Sequence, residues 1–180
     1  HVRYVNDRTW EVLRRSEAWA TNQYVYARIE FDKPMKINAF DSEFNDREFQ
    51  FFGNKVALSY SKKVKAGEKI KAKVTLSFTD YSGTLLNSSE IKHWDFEKVH
   101  QDAIALWNKE LSKIEVTSND KDKLAIFYTA LYHTMMQPNI AQDLDGKYRG
   151  RDNKIHIAKG FDYYTVFSLW DTFRAVHPLY

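Results

Sequence analysis

Cysteine is missing from all 180 residues of this chain. Its absence excludes a disulfide framework, zinc thiolate sites and thiol catalysis together. It leaves the compartment open, because exported proteins without cysteine are common. No apolar run approaches the ~20 residues that cross a bilayer, so no membrane span is expected. Charge of one sign is lacking as well: 27 Lys and Arg stand against 24 Asp and Glu, a formal net charge of +3. The lysines are interspersed with acids, as in Lys62-Lys63-Val64-Lys65-Ala66-Gly67-Glu68-Lys69. A phosphate-tracking stripe is more one-sided than this, and nucleic acid is not an expected partner. There is no internal repeat and no low-complexity tract.

Hydrophobic residues make up 43% of the chain and aromatic residues 16%, too rich a mixture for disorder. The chain opens His1-Val2-Arg3 without an initiator Met and stops at Tyr180 inside a helical pattern. The expectation is a piece of a larger polypeptide.

Residues up to about Thr79 read as strands. Tyr24–Phe31 and Met35–Phe40 alternate with a period of two, as do Phe49–Tyr60, interrupted at Gly53-Asn54, and Lys69–Phe78. Such alternation describes antiparallel strands with one wet face. Asp32-Lys33-Pro34 and Ala66-Gly67-Glu68 supply the corners. Together they predict part of a β-sandwich.

The pattern changes after Ser82-Gly83, and the boundary is expected between Gly83 and Trp94. From Asp95, a potential N-cap, the positions Phe96, Val99, Ala103, Leu106, Trp107 and Leu111 recur at helical spacing. A second helix is predicted from Asn119 or Asp120 to Met136, with Gln137-Pro138 stopping it. Asp145-Gly146 reads as the apex of a tight turn or short hairpin. Ser168 or Asp171 is placed to cap a final helix that His177-Pro178 ends. Sheet first and helices later means an α+β arrangement or an all-β domain joined to an all-α one, not an alternating parallel sheet, and two domains are expected.

The densest chemistry lies in the last third. Flat aromatic faces (Tyr163, Tyr164, Phe167, Trp170) alternate there with planar hydrogen-bonding groups (Asp162, Asp171, Arg174). A pyranose presents C–H faces to aromatic rings and vicinal hydroxyls that a carboxylate or guanidinium grips in bidentate fashion. Other candidates have ordinary explanations. Asp143 and Asp145 sit on a Gly turn, where Asp commonly satisfies its own backbone. His133 is read as a core or interface histidine, and His93, His100, His156 and His177 share no metal-ligand spacing. Trp10, Trp19, Trp94 and Trp107 are read as packing residues, and Ser168 lacks the flanking glycines of a nucleophile elbow.

Three blocks carry a resemblance. They are Phe127-Tyr128-Thr129-Ala130-Leu131-Tyr132-His133-Thr134, then Asp143-Leu144-Asp145-Gly146-Lys147-Tyr148-Arg149-Gly150, then Tyr163-Tyr164-Thr165-Val166-Phe167-Ser168-Leu169-Trp170-Asp171-Thr172-Phe173-Arg174 with His177-Pro178-Leu179-Tyr180. In order and spacing the chain closely resembles the α-mannosidases of glycoside hydrolase family 92. The run from Leu13 to Tyr26 also resembles that family's sandwich domain, so the likeness spreads over nearly the whole chain.

The resemblance implies a calcium-dependent, inverting exo-α-mannosidase of bacteria, periplasmic or secreted, acting on mannose-containing glycans. Its fold is an N-terminal β-sandwich joined by helices to a large (α/α)6 barrel. On that footing residues 1–90 form the late part of the sandwich, 91–118 a linker helix and 119–180 the start of the barrel. The family's general acid, general base and calcium ligands lie downstream, so neither a catalytic nor a metal-ligating residue is expected here. Inverting hydrolysis needs two carboxylates roughly 6.5–9.5 Å apart, and no such pair can be assigned in the sequence. The remainder of the polypeptide becomes a partner, and the chain by itself is expected to be inactive and to expose apolar surface.

By the same resemblance Trp170 and Asp171 sit at the barrel mouth in the subsite for terminal mannose, the indole as a wall and the carboxylate gripping hydroxyls. Arg174, one turn later, is expected to share their face. The alternatives are a buried Trp170, a helix-capping Asp171 and an Asp171–Arg174 ion pair. The alternative function is a non-catalytic carbohydrate-binding β-sandwich module.

Overall fold

Alternating apolar residues fold the first part of the chain into one antiparallel sheet. Its strands are β1 (Val2–Asn6), β2 (Thr9–Ser16), β3 (Gln23–Phe31), β4 (Lys36–Asn45), β5 (Gln50–Ser61) and β6 (Ala72–Ser77), in the order β4-β5-β1-β2-β3-β6. Val2 lies opposite both Val12 and Phe51, and Trp10 opposite Ile29, which in turn faces Val74. Opposed residues share a face, so this register gathers Val2, Trp10, Phe31 and Phe51 into the core. Tyr60 closes over them, stacked on Trp10 at 6.3 Å and edge-on to Phe31 at 5.4 Å. The packing role read for Trp10 is what the structure shows; Trp19 lies outside the described residues.

The computed structural model describes residues 1–18, 21–45, 50–166 and 168–180. It divides into two units, His1–Trp94 with Gln142–Phe161, and Asp95–Ala141 with Asp162–Tyr180.

On the opposite face of the sheet Glu11 is 3% exposed. It is held by Arg3 and by Arg28, whose Nη1 lies 2.8 Å from its Oε1. A buried carboxylate persists only with such partners, since an unpaired one costs several kcal/mol. Helix α1 (Tyr81–Asn87) covers this face. The Arg3 guanidinium sits 4.1 Å over the Tyr81 ring, and Tyr26 meets that ring edge-on at 5.0 Å.

The sequence reading of β3, β4 and the Gly67 corner agrees with the structure. Two details differ: β5 runs unbroken through Gly53-Asn54, with Gly53 at φ 147°, and β6 begins at Ala72, three residues after Lys69. Phe49 lies outside the described residues. Helix α1 is new, because Ser82-Gly83 was read as a break in pattern. Asp80 is its N-cap, accepting from the Gly83 amide at 2.7 Å. Glycine stands there for packing: a Cβ at Gly83 would overlap Asp143 Oδ2 and Ser77 Oγ and come within 2.8 Å of Thr79 Oγ1. Gly83→Ala is therefore expected to destabilise the chain by roughly 1–3 kcal/mol, read as a lower urea midpoint. Ser82→Ala, at the exposed neighbour, should stay within about 0.5 kcal/mol of wild type.

In the second unit α2 (Phe96–Leu111) starts on Asp95, which accepts from Lys98 N at 3.1 Å. Helix α3 (Lys121–Thr134) starts on Asp120, which accepts from the amides of Asp122 and Lys123. The Asp95 cap is the one read from sequence, and Asp120 is one of the two starts read for the second helix. Trp107 packs edge-on against Tyr132 at 4.5 Å. The predicted final helix is instead two short ones, α4 (Leu169–Thr172) and α5 (Val176–Leu179). His177-Pro178 lies inside α5 rather than ending it. Pro178 is in the first turn, where the backbone N–H has no intrahelical acceptor to lose. The whole is the expected α+β arrangement, an antiparallel sheet followed by helices.

Candidate functional site

Two places collect polar side chains in unusual order. The first is in the sheet unit, where Asp143, 3% exposed, accepts from Ser77 Oγ at 2.9 Å, from Thr79 Oγ1 and from Asn87 Nδ2 at 2.7 Å. Asn87 completes the knot by donating to Leu76 O and accepting from Leu144 N, both at 3.0 Å. Asp143 therefore differs from the self-satisfying turn Asp expected of it; that description suits Asp145, which accepts from Lys147 N at 3.1 Å. The Lys147 ammonium, hydrogen-bonded to Asp145, holds that carboxyl below its ordinary range.

The turn itself is as read, with Gly146 N donating to Asp143 O and Asp143 N to Lys147 O, both at 2.8 Å. It leads into a ribbon of β7 (Lys147–Arg149) and β8 (Ile155–Ile157). Arg149 fixes that ribbon: Nε donates to Phe78 O and Nη2 to Thr79 O, both at 2.9 Å, and the guanidinium lies 4.6 Å over the Tyr24 ring. A planar fork suits this work better than an ammonium. Asp143 and Arg149 thus anchor the segment at both the carboxylate and the guanidinium. Their hydrogen bonds to Ser77, Phe78, Thr79 and Asn87 span 56 to 71 residues of sequence, a distance at which no local pattern signals them.

The second place is in the helical unit and holds the residues singled out from sequence. The aromatic run is led back to the end of α3 by pairing of 139–141 with 163–165: Ala141 N donates to Tyr163 O and Thr165 N to Asn139 O, each at 2.8 Å. The chain end is pinned there too, since Tyr180 Oη donates to Thr134 O at 2.8 Å and Gln137 O at 2.9 Å. Helix α4 then presents Trp170, 78% exposed, and Asp171, also exposed. Trp170 is not buried in this chain. Ser168, not Asp171, occupies the N-cap position, so Asp171 lies within the first turn of α4.

Arg174 falls beyond α4, and its guanidinium sits 5.5 Å over the Phe173 ring. The shared helical face expected of Arg174 is not formed, because α4 ends at Thr172. Among the described residues no ion pair joins it to Asp171. Phe167 lies outside the described residues. His133 is exposed on α3, with its ring 5.8 Å from that of Tyr132.

An exposed indole, a free-standing carboxylate and a guanidinium on one short segment can stack on a sugar face and grip its hydroxyls. Among the described residues no three His, Cys, Asp or Glu side chains converge as metal ligands. Asp143, the most buried acid of the second half, has its oxygens engaged by three protein donors. Nor, among the described residues, is any helix long and apolar enough to cross a membrane.

Comparison with known proteins gives these residues a context. Residues 85–180 match the glycosyl hydrolase family 92 catalytic domain. A solved family 92 α-mannosidase from Bacteroides thetaiotaomicron shares 34% identity and a TM-score of 0.83 over 99% of this chain and 25% of its own. The mannoimidazole complex of that enzyme gives 0.84, at 34% identity, over 99% and 24%. An inverting family 92 mannosidase from the same species gives 0.80 at 25% identity over 99% and 25%. A curated relative from Arthroderma benhamiae, named an uncharacterized secreted glycosidase, is 30% identical over 111 residues, 59% of this chain and 13% of its own length. The chain spans about a quarter of the solved mannosidases it matches. With the catalytic-domain match covering more than half of its residues and its fold shared end to end, the chain belongs to glycosyl hydrolase family 92.

Proposed function

We propose that this chain is part of an inverting exo-α-mannosidase that removes terminal α-linked mannose from glycans and works outside the cytoplasm. The observation that carries the reading is the family 92 match together with likeness to α-mannosidases over 99% of the chain. Trp170, Asp171 and Arg174 supply sugar contacts, the indole walling a pyranose face and the carboxylate accepting from vicinal hydroxyls. The general acid, the general base and the calcium ion belong to the rest of the polypeptide. The secreted glycosidase among the relatives supports export, and the inverting relative supports inversion.

The test is an anomer-resolved NMR assay of the parent polypeptide on α-linked mannobiosides, with calcium and then with a chelator. Release of β-mannose that stops on chelation is expected. Release of α-mannose would overturn inversion. No release from any linkage would favour the non-catalytic carbohydrate-binding module. This chain alone should give no product. Its Trp170, Val166 and Leu169 are exposed at 78%, 69% and 65%. Turnover by the isolated chain would sink the division of labour proposed here.

A further inference from the structure

Three connections meet at one end of the sheet: β1 to β2 at 7–8, β3 to β4 at 32–35 and β5 to β6 at 62–71. The antiparallel register puts them there, since Asn6 pairs with Thr9, Thr9 with Glu30, Phe31 with Ala72 and Lys36 with Ser61. Backbone bonds tie them together. Phe31 N donates to Arg8 O at 2.8 Å, Met35 N to Asp7 O at 2.7 Å and Asp32 N to Lys71 O at 3.1 Å. Counted with Lys36 at the start of β4, these segments hold eight Lys and Arg against three Asp and Glu, a net +5. The whole chain carries only +3, so this end of the sheet is basic on a molecule whose remainder is slightly acidic.

Two of the three acids there are already engaged. Glu68 is hydrogen-bonded to the Lys33 ammonium and accepts from Lys65 N at 2.9 Å, while Asp32 accepts from Lys71 N at 2.9 Å. Among the described residues no carboxylate forms an ion pair with Lys62, Lys63, Lys65 or Lys69. A tight turn, closed by Glu68 N to Lys65 O at 3.0 Å with Gly67 at φ 79°, folds the middle of the β5–β6 connection. On either side of that turn stand exposed aliphatic side chains, Val64 at 49% and Ile70 at 39%. Lysines alone fit any polyanion. Lysines interleaved with exposed aliphatic groups fit a lipid surface, where ammonium groups meet headgroup phosphates and apolar side chains reach the acyl boundary. We propose that this end of the sheet docks on an anionic lipid bilayer surface. Lys62, Lys63, Lys65 and Lys69 meet the headgroup phosphates, Val64 and Ile70 enter between them, and the connections at 7–8 and 32–35 brace the loop from behind.

Co-sedimentation of the parent polypeptide with vesicles tests this, using phosphatidylcholine alone and phosphatidylcholine with about one-third phosphatidylglycerol, at about 0.1 M salt. Binding to the anionic vesicles at least about tenfold tighter than to the neutral ones is expected. The combined variant Lys63→Gln, Lys65→Gln and Lys69→Gln should bind them about 100-fold more weakly, at roughly fivefold for each lysine near the surface. Val64→Ser keeps the charge and should lose about fivefold on the anionic vesicles, with its retention on immobilised dextran sulfate unchanged. Equal binding to both kinds of vesicle would overturn the proposal. So would a triple-lysine variant that binds like wild type, which would put the contact elsewhere in the polypeptide. Retention on dextran sulfate without vesicle binding would replace the lipid with an anionic polysaccharide. All four lysines and Val64 lie in a surface connection, and unchanged urea midpoints check that the variants are folded. No readout depends on mannosidase activity, so failure here and failure of the proposed function are distinguishable.

Discussion

Asp171→Ala in the parent polypeptide is expected to lower kcat/KM on α-mannosides by about 100- to 10,000-fold. Two charge-assisted hydrogen bonds to vicinal hydroxyls are worth roughly 1.5–3 kcal/mol each, and about 1.4 kcal/mol is tenfold. The fold should be untouched, because Asp171 is exposed and surface substitutions away from caps and buried networks change stability by less than about 0.5 kcal/mol. Trp170→Ala should cost about tenfold through the lost aromatic face. Arg174→Ala should cost less still, since that guanidinium rests on Phe173. Steady-state kinetics paired with urea unfolding separates the cases. Activity of Asp171→Ala within about threefold of wild type would remove this segment from the sugar site.

Asp143→Ala is expected to destabilise the chain by about 3–5 kcal/mol, the scale for removing one member of a buried polar network. It strands two hydroxyls and an amide, the groups of Ser77, Thr79 and Asn87, in a place where water does not replace the carboxylate. Asp143→Asn should lose about half as much: its carbonyl can still accept from Asn87 Nδ2 and the Ser77 and Thr79 hydroxyls can turn to accept from its amide N–H, but the charge that strengthens all three bonds is gone. Urea midpoints give the ordering. Limited proteolysis should show cleavage within Gln142–Phe161 appearing first, because that segment loses its anchor. Gly83→Ala presses on the same carboxylate, so the two changes combined should cost less than their sum. Strict additivity, or loss below about 1 kcal/mol for Asp143→Ala, would show that the knot does not hold the segment.

What the sequence made legible was local. Asp95 and Asp120 announce their helices because a cap reaches only two or three residues along the chain. Period-two alternation marks β3 and β4 for the same reason. Helix α1 was hidden because Gly83 imitates a breaker, while its reason for being glycine is three side chains from other elements. Pro178 looked like a stop and is tolerated inside α5 by its place in the first turn. The Asp143 knot and the Arg149 fork join residues too far apart for any pattern to reveal. The sugar contacts proposed for Trp170, Asp171 and Arg174 rest on the order of whole blocks, not on geometry. The structure in turn places Trp170 in solvent and takes Arg174 off its expected helical face.

The chain leaves the sheet unit at Trp94, returns at Gln142 and leaves again at Phe161. During synthesis the six-stranded sheet therefore emerges well before the carboxylate that completes it. Ser77, Thr79 and Asn87 must wait for Asp143 while α2 and α3 are made. A truncation at Trp94, the obvious place to separate sheet from helices, keeps every strand of that sheet and discards its fastening.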